Sequence, residues 1–232
     1  MLTQTQITPG RAALIAGLAI LVMAVTVPTV EFYIFPKLVN YNRAEETAQN
    51  IAANRILFST AIFVHFSTVI CDLIAGWALY IFLRPVNKDI ALLSALFRTA
   101  NAAFTITALA NLVQVTSLLN TASTMAAVPD SEEIMFRLQS FNLQWRFMLV
   151  FFGIYMIILA YLVWHAPYIP TFMAACLAIS GIGYIIDDLK FFFYPQVNTG
   201  FLWFTYFGEL IFMFWLLFKG RKGKYLESRS RG

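Results

Sequence analysis

Five ionisable side chains stand inside long apolar runs of this sequence: Glu31, His65, Asp72, Arg98 and Glu209. At membrane depth a charge is costly unless it is paired or hydrated, so each is a candidate site. Three of them complement one another. A guanidinium between carboxylates makes charge-assisted, directional hydrogen bonds, and the same donors suit the anionic group of a ligand. Arg98 cannot neutralise both Asp72 and Glu209, so one carboxyl is left to be protonated or solvated, which suits a proton-coupled step. The neighbours continue a polar face. Asn101 and Thr105 follow Arg98 at i+3 and i+7, Asn111 and Gln114 lie further on, and Thr205 precedes Glu209 by one turn. His65 stands seven residues before Asp72, on the same helical stripe. Glu31, His65 and the run Asp187-Asp188-Leu189-Lys190 form a second polar set nearer one boundary. Two such layers facing a common axis would line a wet pocket. The ligand-binding candidates are therefore Arg98, Asp72, Glu209, His65, Asn101 and Glu31. The competing reading is that the buried charges only fix helix register.

Other chemistries lack their residues. No HExxH, GxSxG, P-loop or Rossmann pattern occurs. Cys71 and Cys176 lie in apolar runs without CxxC spacing, as small buried hydrophobes do. No Cys/His/carboxylate cluster has metal-ligand spacing. The two histidines, His65 and His165, are expected at opposite ends of their segments, so they cannot share a haem iron. No catalytic residue, metal or cofactor is assigned, and the expectation leans away from an enzyme.

These residues need positioning by elements that live in lipid. The 232 residues are 60% hydrophobic and 12% charged, with 23 Phe and a mean hydropathy of +0.72. A soluble domain is nearer 45–50% apolar and about 25% charged. A soluble fold of this size could not hide so much apolar surface. The same figures exclude disordered, collagen-like and disulfide-stapled secreted chains.

A spanning helix needs about 20 mainly apolar residues. Six segments qualify, at about 12–35, 56–83, 90–119, 147–164, 170–187 and 201–218. Polar joints separate them: Pro36-Lys37, Arg84-Pro85-Val86-Asn87-Lys88, Pro129-Asp130-Ser131, Pro167 to Pro170, and Pro195 with Asn198 and Gly200. Pro28 should kink the first span. That span is longer than a signal-peptide core and ends in no small-residue cleavage site, so it reads as retained.

Six of the 16 basic residues fall in the tail 219–232. With Arg11, Arg84 and Lys88 they place both termini in the cytoplasm, opposite Lys37, Arg43, Arg55, Arg137, Arg146 and Lys190. The tail suits anionic headgroups, and no groove-reading motif accompanies it, so no nucleic-acid partner is expected. Membrane lipids, a small amphipathic ligand, and a second copy or another membrane subunit are the partners this chain admits.

Two outer connections carry helical patterns. Ala44, Ala48, Ile51 and Ala52 recur at helical spacing. After Asp130 or Ser131 as N-cap, Ile134, Leu138, Phe141 and Trp145 fall on one face. Each is either a lid over an outer cavity or an extension of the following span. Counting the helical rise puts Asp72 about 16 Å from the end of its span at Leu83, Arg98 about 12 Å above Ile90, and Glu209 about 14 Å from Phe218. The three therefore share one layer near mid-membrane.

The run Gly76-Trp77-Ala78-Leu79-Tyr80, then Leu83-Arg84-Pro85-Val86-Asn87-Lys88 and Ala91-Leu92-Leu93 up to Phe97-Arg98, resembles an uncharacterised bacterial integral-membrane family. The family is the domain of unknown function 4386 (DUF4386). The opening from Arg11 to Gly17 and the stretch Asn50-Ile51-Ala52-Ala53-Asn54 share in the resemblance. It implies a compact set of about six spans in a bacterial inner membrane, with weight on Arg98. The expected fold is all-α, a single bundle of six transmembrane helices forming one domain over residues 1–232. The expected function is a non-enzymatic binder or transporter of a small or amphipathic ligand. Its rivals are a structural or regulatory membrane subunit and, third, an intramembrane enzyme.

Overall fold

The computed structural model describes residues 7–124, 130–194, 196–200 and 207–220. Every regular element among the described residues is helical: α1 (Pro9–Thr29), a π-helical turn (Val30–Ile34), α2 (Phe35–Leu38), α3 (Ala44–Ala53), α4 (Arg55–Leu83), α5 (Lys88–Thr124), α6 (Ser131–Trp164), α7 (Thr171–Phe193) and α8 (Phe207–Phe218). The all-α expectation holds. Among the described residues, five helices are long and apolar enough to cross a membrane, the first running from Pro9 to Leu38, and α8 is a shorter apolar helix. Large apolar side chains such as Phe32, Ile56, Phe63 and Phe193 are exposed, as a lipid-facing surface requires. Residues 201–206, including Thr205, the basic tail from Arg221 onward, Pro129 and Pro195 lie outside the described residues.

The polar joints supply the caps. Asn87 Oδ1 accepts the backbone N–H groups of Asp89 and Ile90 at 3.1 and 3.0 Å, opening α5. Asp130 Oδ1 does the same for Glu132 and Glu133, both at 3.1 Å, so Asp130 rather than Ser131 caps α6. Pro28 lacks an N–H and leaves a carbonyl one turn back without its donor. The irregularity it brings is the π-helical turn just beyond it, where the N–H of Phe35 reaches back to the Val30 carbonyl.

Two elements outrun their apolar segments. The expected third span ends near 119, whereas α5 continues to Thr124, 37 residues in all. The stretch after Asp130 runs unbroken into α6, so it extends that span. The other patterned stretch is a helix of its own: α3 ends at Ala53 with Asn54 as its C-cap, and the Thr47 hydroxyl ties its start to the Asn40 backbone at 2.9 and 3.0 Å.

The chain divides into two compact units. One comprises residues 1–22, 71–101 and 149–232; the other comprises 23–70 and 102–148. In the first, α6 and α7 meet backbone to backbone. A Cβ on Gly153 would come within 2.7 Å of the Gly181 carbonyl oxygen, and a Cβ on Gly181 equally close to that of Gly153. The Gly208 N–H donates to Ser180 Oγ at 3.1 Å, which fixes the start of α8 on α7. The second unit is built on an apolar core that includes Phe35, Ile51, Phe58, Leu109, Leu112, Ile134, Leu138 and Phe141. The face predicted on α6 is thus the buried one, with Trp145 packed against it.

Candidate functional site

Arg98 is the centre of the first unit's polar cluster. Its side chain is wholly buried. Four helices serve it, each by a residue whose position in its run decides the contact. From α4, Asp72 places Oδ1 2.7 Å from Arg98 Nε. From α8, Glu209 Oε1 accepts from Arg98 Nη1 at 3.0 Å. From α6, the Tyr155 hydroxyl oxygen accepts from the same Nη1 at 2.5 Å. Asn101, one turn beyond Arg98 on α5, donates from Nδ2 to the other Asp72 oxygen at 2.9 Å. The guanidinium carbon also stands 4.8 Å from the Tyr155 ring centroid and 5.8 Å from that of Phe152, within cation–π range.

Two features decide what this cluster can do. Formal charge is uneven, since one guanidinium faces two carboxylates. Among the described residues, Arg98 Nη2 is buried and meets no acceptor. A buried charged group is retained when paired and hydrogen-bonded, and an unused donor on it forfeits the free energy of a bond. Exposure rises outward through the cluster, from Arg98 at 0% through Asp72 at 8% to Glu209 at 16% of the side chain. Glu209 is therefore the most accessible of the three.

The second polar set assembles in the other unit. Glu31, on the π-helical turn, places Oε1 3.4 Å from His65 Nε2. The His65 ring is buried, with centroids of Phe35, Phe141 and Trp145 at 5.8, 5.9 and 5.0 Å. It is enclosed by aromatic rings rather than set in a hydrated wall. Beside it, Tyr41 lies between α2 and α3, and desolvation together with the Glu31 charge holds its hydroxyl above the ordinary tyrosine value. On α5, Asn111 donates to Gln144 Oε1 at 3.3 Å.

The acidic run on α7 divides. Asp187 pairs with Lys190 at 3.3 Å, and the Thr199 hydroxyl bonds both. Asp188, expected near a solvated boundary, is 2% exposed. His165 is exposed in the turn after α6, and the nearby Tyr168 hydroxyl, pushed up to about 12 by burial, donates to the Phe82 carbonyl. Among the described residues no group of three His, Cys, Asp or Glu side chains is placed to hold a metal ion.

The structure thus brings Arg98, Asp72, Glu209 and Asn101 together, and joins His65 to Glu31 in a separate unit. The residue that sequence reasoning missed is Tyr155. Its only signal was a phenol amid the run Phe147 to Tyr161, where aromatic residues otherwise read as lipid-facing or packing. The open recesses along Val113–Thr124 and Arg55–Phe63 take in none of these residues.

The family model described as "Domain of unknown function (DUF4386)" matches residues 15–220. The chain belongs to this family. Every described residue of both DUF4386 polar clusters falls within the matched stretch. An uncharacterised protein of Archaeoglobus fulgidus is 36% identical over 157 residues, covering 68% of this chain and 82% of that protein. No solved structure matches the chain.

Proposed function

We propose that this chain is a non-enzymatic membrane protein that binds, and in a transport cycle carries, a small amphipathic ligand whose anionic end docks on Arg98. We also place it in a prokaryotic cytoplasmic membrane with both termini on the cytoplasmic side, supported by the excess of Lys and Arg at Arg11, Arg84, Lys88 and the tail. The observation that carries the reading is Nη2 of Arg98, a buried cationic donor with no acceptor among the described residues. An oxygen of a carboxylate or phosphate headgroup supplies what is missing. Glu209, the most exposed of the three, is the group such a headgroup displaces from Nη1.

Charge sets the coupling. The cluster already holds one negative charge too many, so a second anion enters with a proton, carried by the ligand or taken by Glu209. Binding therefore weakens as pH rises. Apolar surroundings, with Phe152 and Tyr155 against the guanidinium, suit an acyl or aromatic tail on the ligand.

The test is native mass spectrometry of the detergent-solubilised protein with laurate as probe. Wild type should retain one laurate. Arg98→Lys should lose it while still folding, because an ammonium lacks the forked donors that serve Asp72, Glu209 and the probe together. Retention of laurate by Arg98→Lys at wild-type level contradicts the proposal. The second reading, a structural or regulatory subunit, is favoured by one observation: Asn101 and Arg98 clamp Asp72 from both sides, as a register lock would.

A further inference from the structure

The Glu31–His65 pair raises a separate question, because three of its polar atoms are buried and make no hydrogen bond among the described residues. These are Glu31 Oε1 and both ring nitrogens of His65. Buried polar groups are nearly always satisfied, so each exception calls for a missing partner. The partner is not water between the two residues. At 3.4 Å the Oε1–Nε2 gap is too short to admit one, and rings of Phe35, Phe141 and Trp145 close in on the imidazole. The two stand at ion-pair distance without hydrogen-bond geometry, so a small turn of the ring or the carboxylate is what lets them share a proton.

The surroundings offset part of the cost that burial imposes on a charged ring. Three aromatic rings stand within cation–π distance of the imidazole, and a carboxylate caps one nitrogen. A neutral imidazole gains little from either. A cationic one gains from both. We infer that His65 and Glu31 form a proton-binding site, in which the imidazolium of His65 is itself the cation held by the aromatic box.

The charged groups around the site are few. Glu31 faces His65 directly from the π-helical turn. Tyr41, between α2 and α3, feels the charges of Glu31 and of Arg146 on α6, and its hydroxyl bonds the Asn142 side chain. From α3 and α5 the shared apolar core receives Ala48, Ile51, Ala108, Leu109 and Leu112. On α4 itself, the Thr68 hydroxyl donates to the His65 carbonyl at 2.6 Å and leaves the ring untouched.

The route and the balance follow. The Glu31 side chain is 32% exposed while His65 is fully buried, so a proton from water arrives on the Glu31 carboxylate. It passes to the Nε2 lone pair of a ring already carrying its proton on Nδ1. The carboxylate is then ionised again, the ring is cationic, and the pair has gained one proton and one positive charge. The π-helical turn can absorb the small shift that tightens the contact, since such turns mark functional irregularities in helices. This site is independent of Arg98 and stands or falls without it.

The experiment exploits the histidine count. With two histidines in the chain, His165→Gln leaves His65 as the sole imidazole. The full chain, ¹⁵N-labelled at histidine and placed in lipid nanodiscs, is followed by NMR between about pH 8 and about pH 5, the span in which histidines ordinarily change charge. Both ring nitrogens should move to the imidazolium position within that span. In the isosteric Glu31→Gln background the imidazolium signal should be lost over the same span. A neutral His65 throughout, or imidazolium formation unaltered by Glu31→Gln, overturns the inference. Should Glu31→Gln fail to fold, Glu31→Ala in the His165→Gln protein takes its place: loss of the imidazolium signal upholds the pair, and an unaltered signal overturns it.

Discussion

The two buried clusters solve the same electrostatic difficulty in opposite ways. Around Arg98, charge is met by charge and by directed donors: Asp72, Glu209, Tyr155 and Asn101 leave one guanidinium nitrogen bare. Around His65, a carboxylate and an imidazole stand close without a hydrogen bond, among rings that offer no acceptor. The first arrangement is held by ion pairs and directed donors and depends on every member. The second is poised between a neutral and a charged form and depends on no member for its packing. Burial alone therefore does not tell what an ionisable group does in an apolar chain; the tally of its partners does.

That contrast can be broken by substitution, and the largest effect belongs to Arg98. Arg98→Met strands two buried carboxylates and should cost about 3–5 kcal/mol in SDS-induced unfolding from mixed micelles. Tyr155→Phe keeps the ring over the guanidinium and removes one acceptor, for which about 2 kcal/mol is expected in the same assay. His65→Phe should be the smallest, within about 1 kcal/mol of wild type or stabilising, because it removes two unsatisfied polar atoms and keeps an aromatic ring in the box. A loss at His65→Phe as large as that at Arg98→Met would erase the distinction between the clusters.

Much of this was legible beforehand, for definite reasons. Hydropathy alone delimits the apolar runs, and Asp130 with the stripe Ile134, Leu138, Phe141 announces both the start and the buried face of α6. Arg98, Asp72 and Glu209 could be grouped because equal rises along three helices bring them to one level. The helix ends were less legible. Backbone hydrogen bonding does not stop where apolar residues do, so α5 runs on through Ser117, Asn120 and Thr124. Similarly, α7 continues through Asp187 and Lys190 to Phe193, since those two pair with each other and with Thr199. Tyr155 was hidden because a phenol at a polar site and a phenol facing lipid look the same in sequence. Glu31 and His65 could be grouped from their depth, whereas their direct contact at 3.4 Å depends on the π-helical turn that carries Glu31.

The central claim is that the Arg98 cluster serves a ligand rather than stability. It is tested most directly by replacing all its charges at once, as Asp72→Leu, Arg98→Met and Glu209→Met, and measuring laurate retention by native mass spectrometry beside the unfolding free energy. Apolar replacement of a whole buried ion group is often neutral or stabilising, so the triple variant should recover most of the stability that Arg98→Met alone loses. It should also retain no laurate. A triple variant that folds and still holds laurate as wild type does would contradict the account.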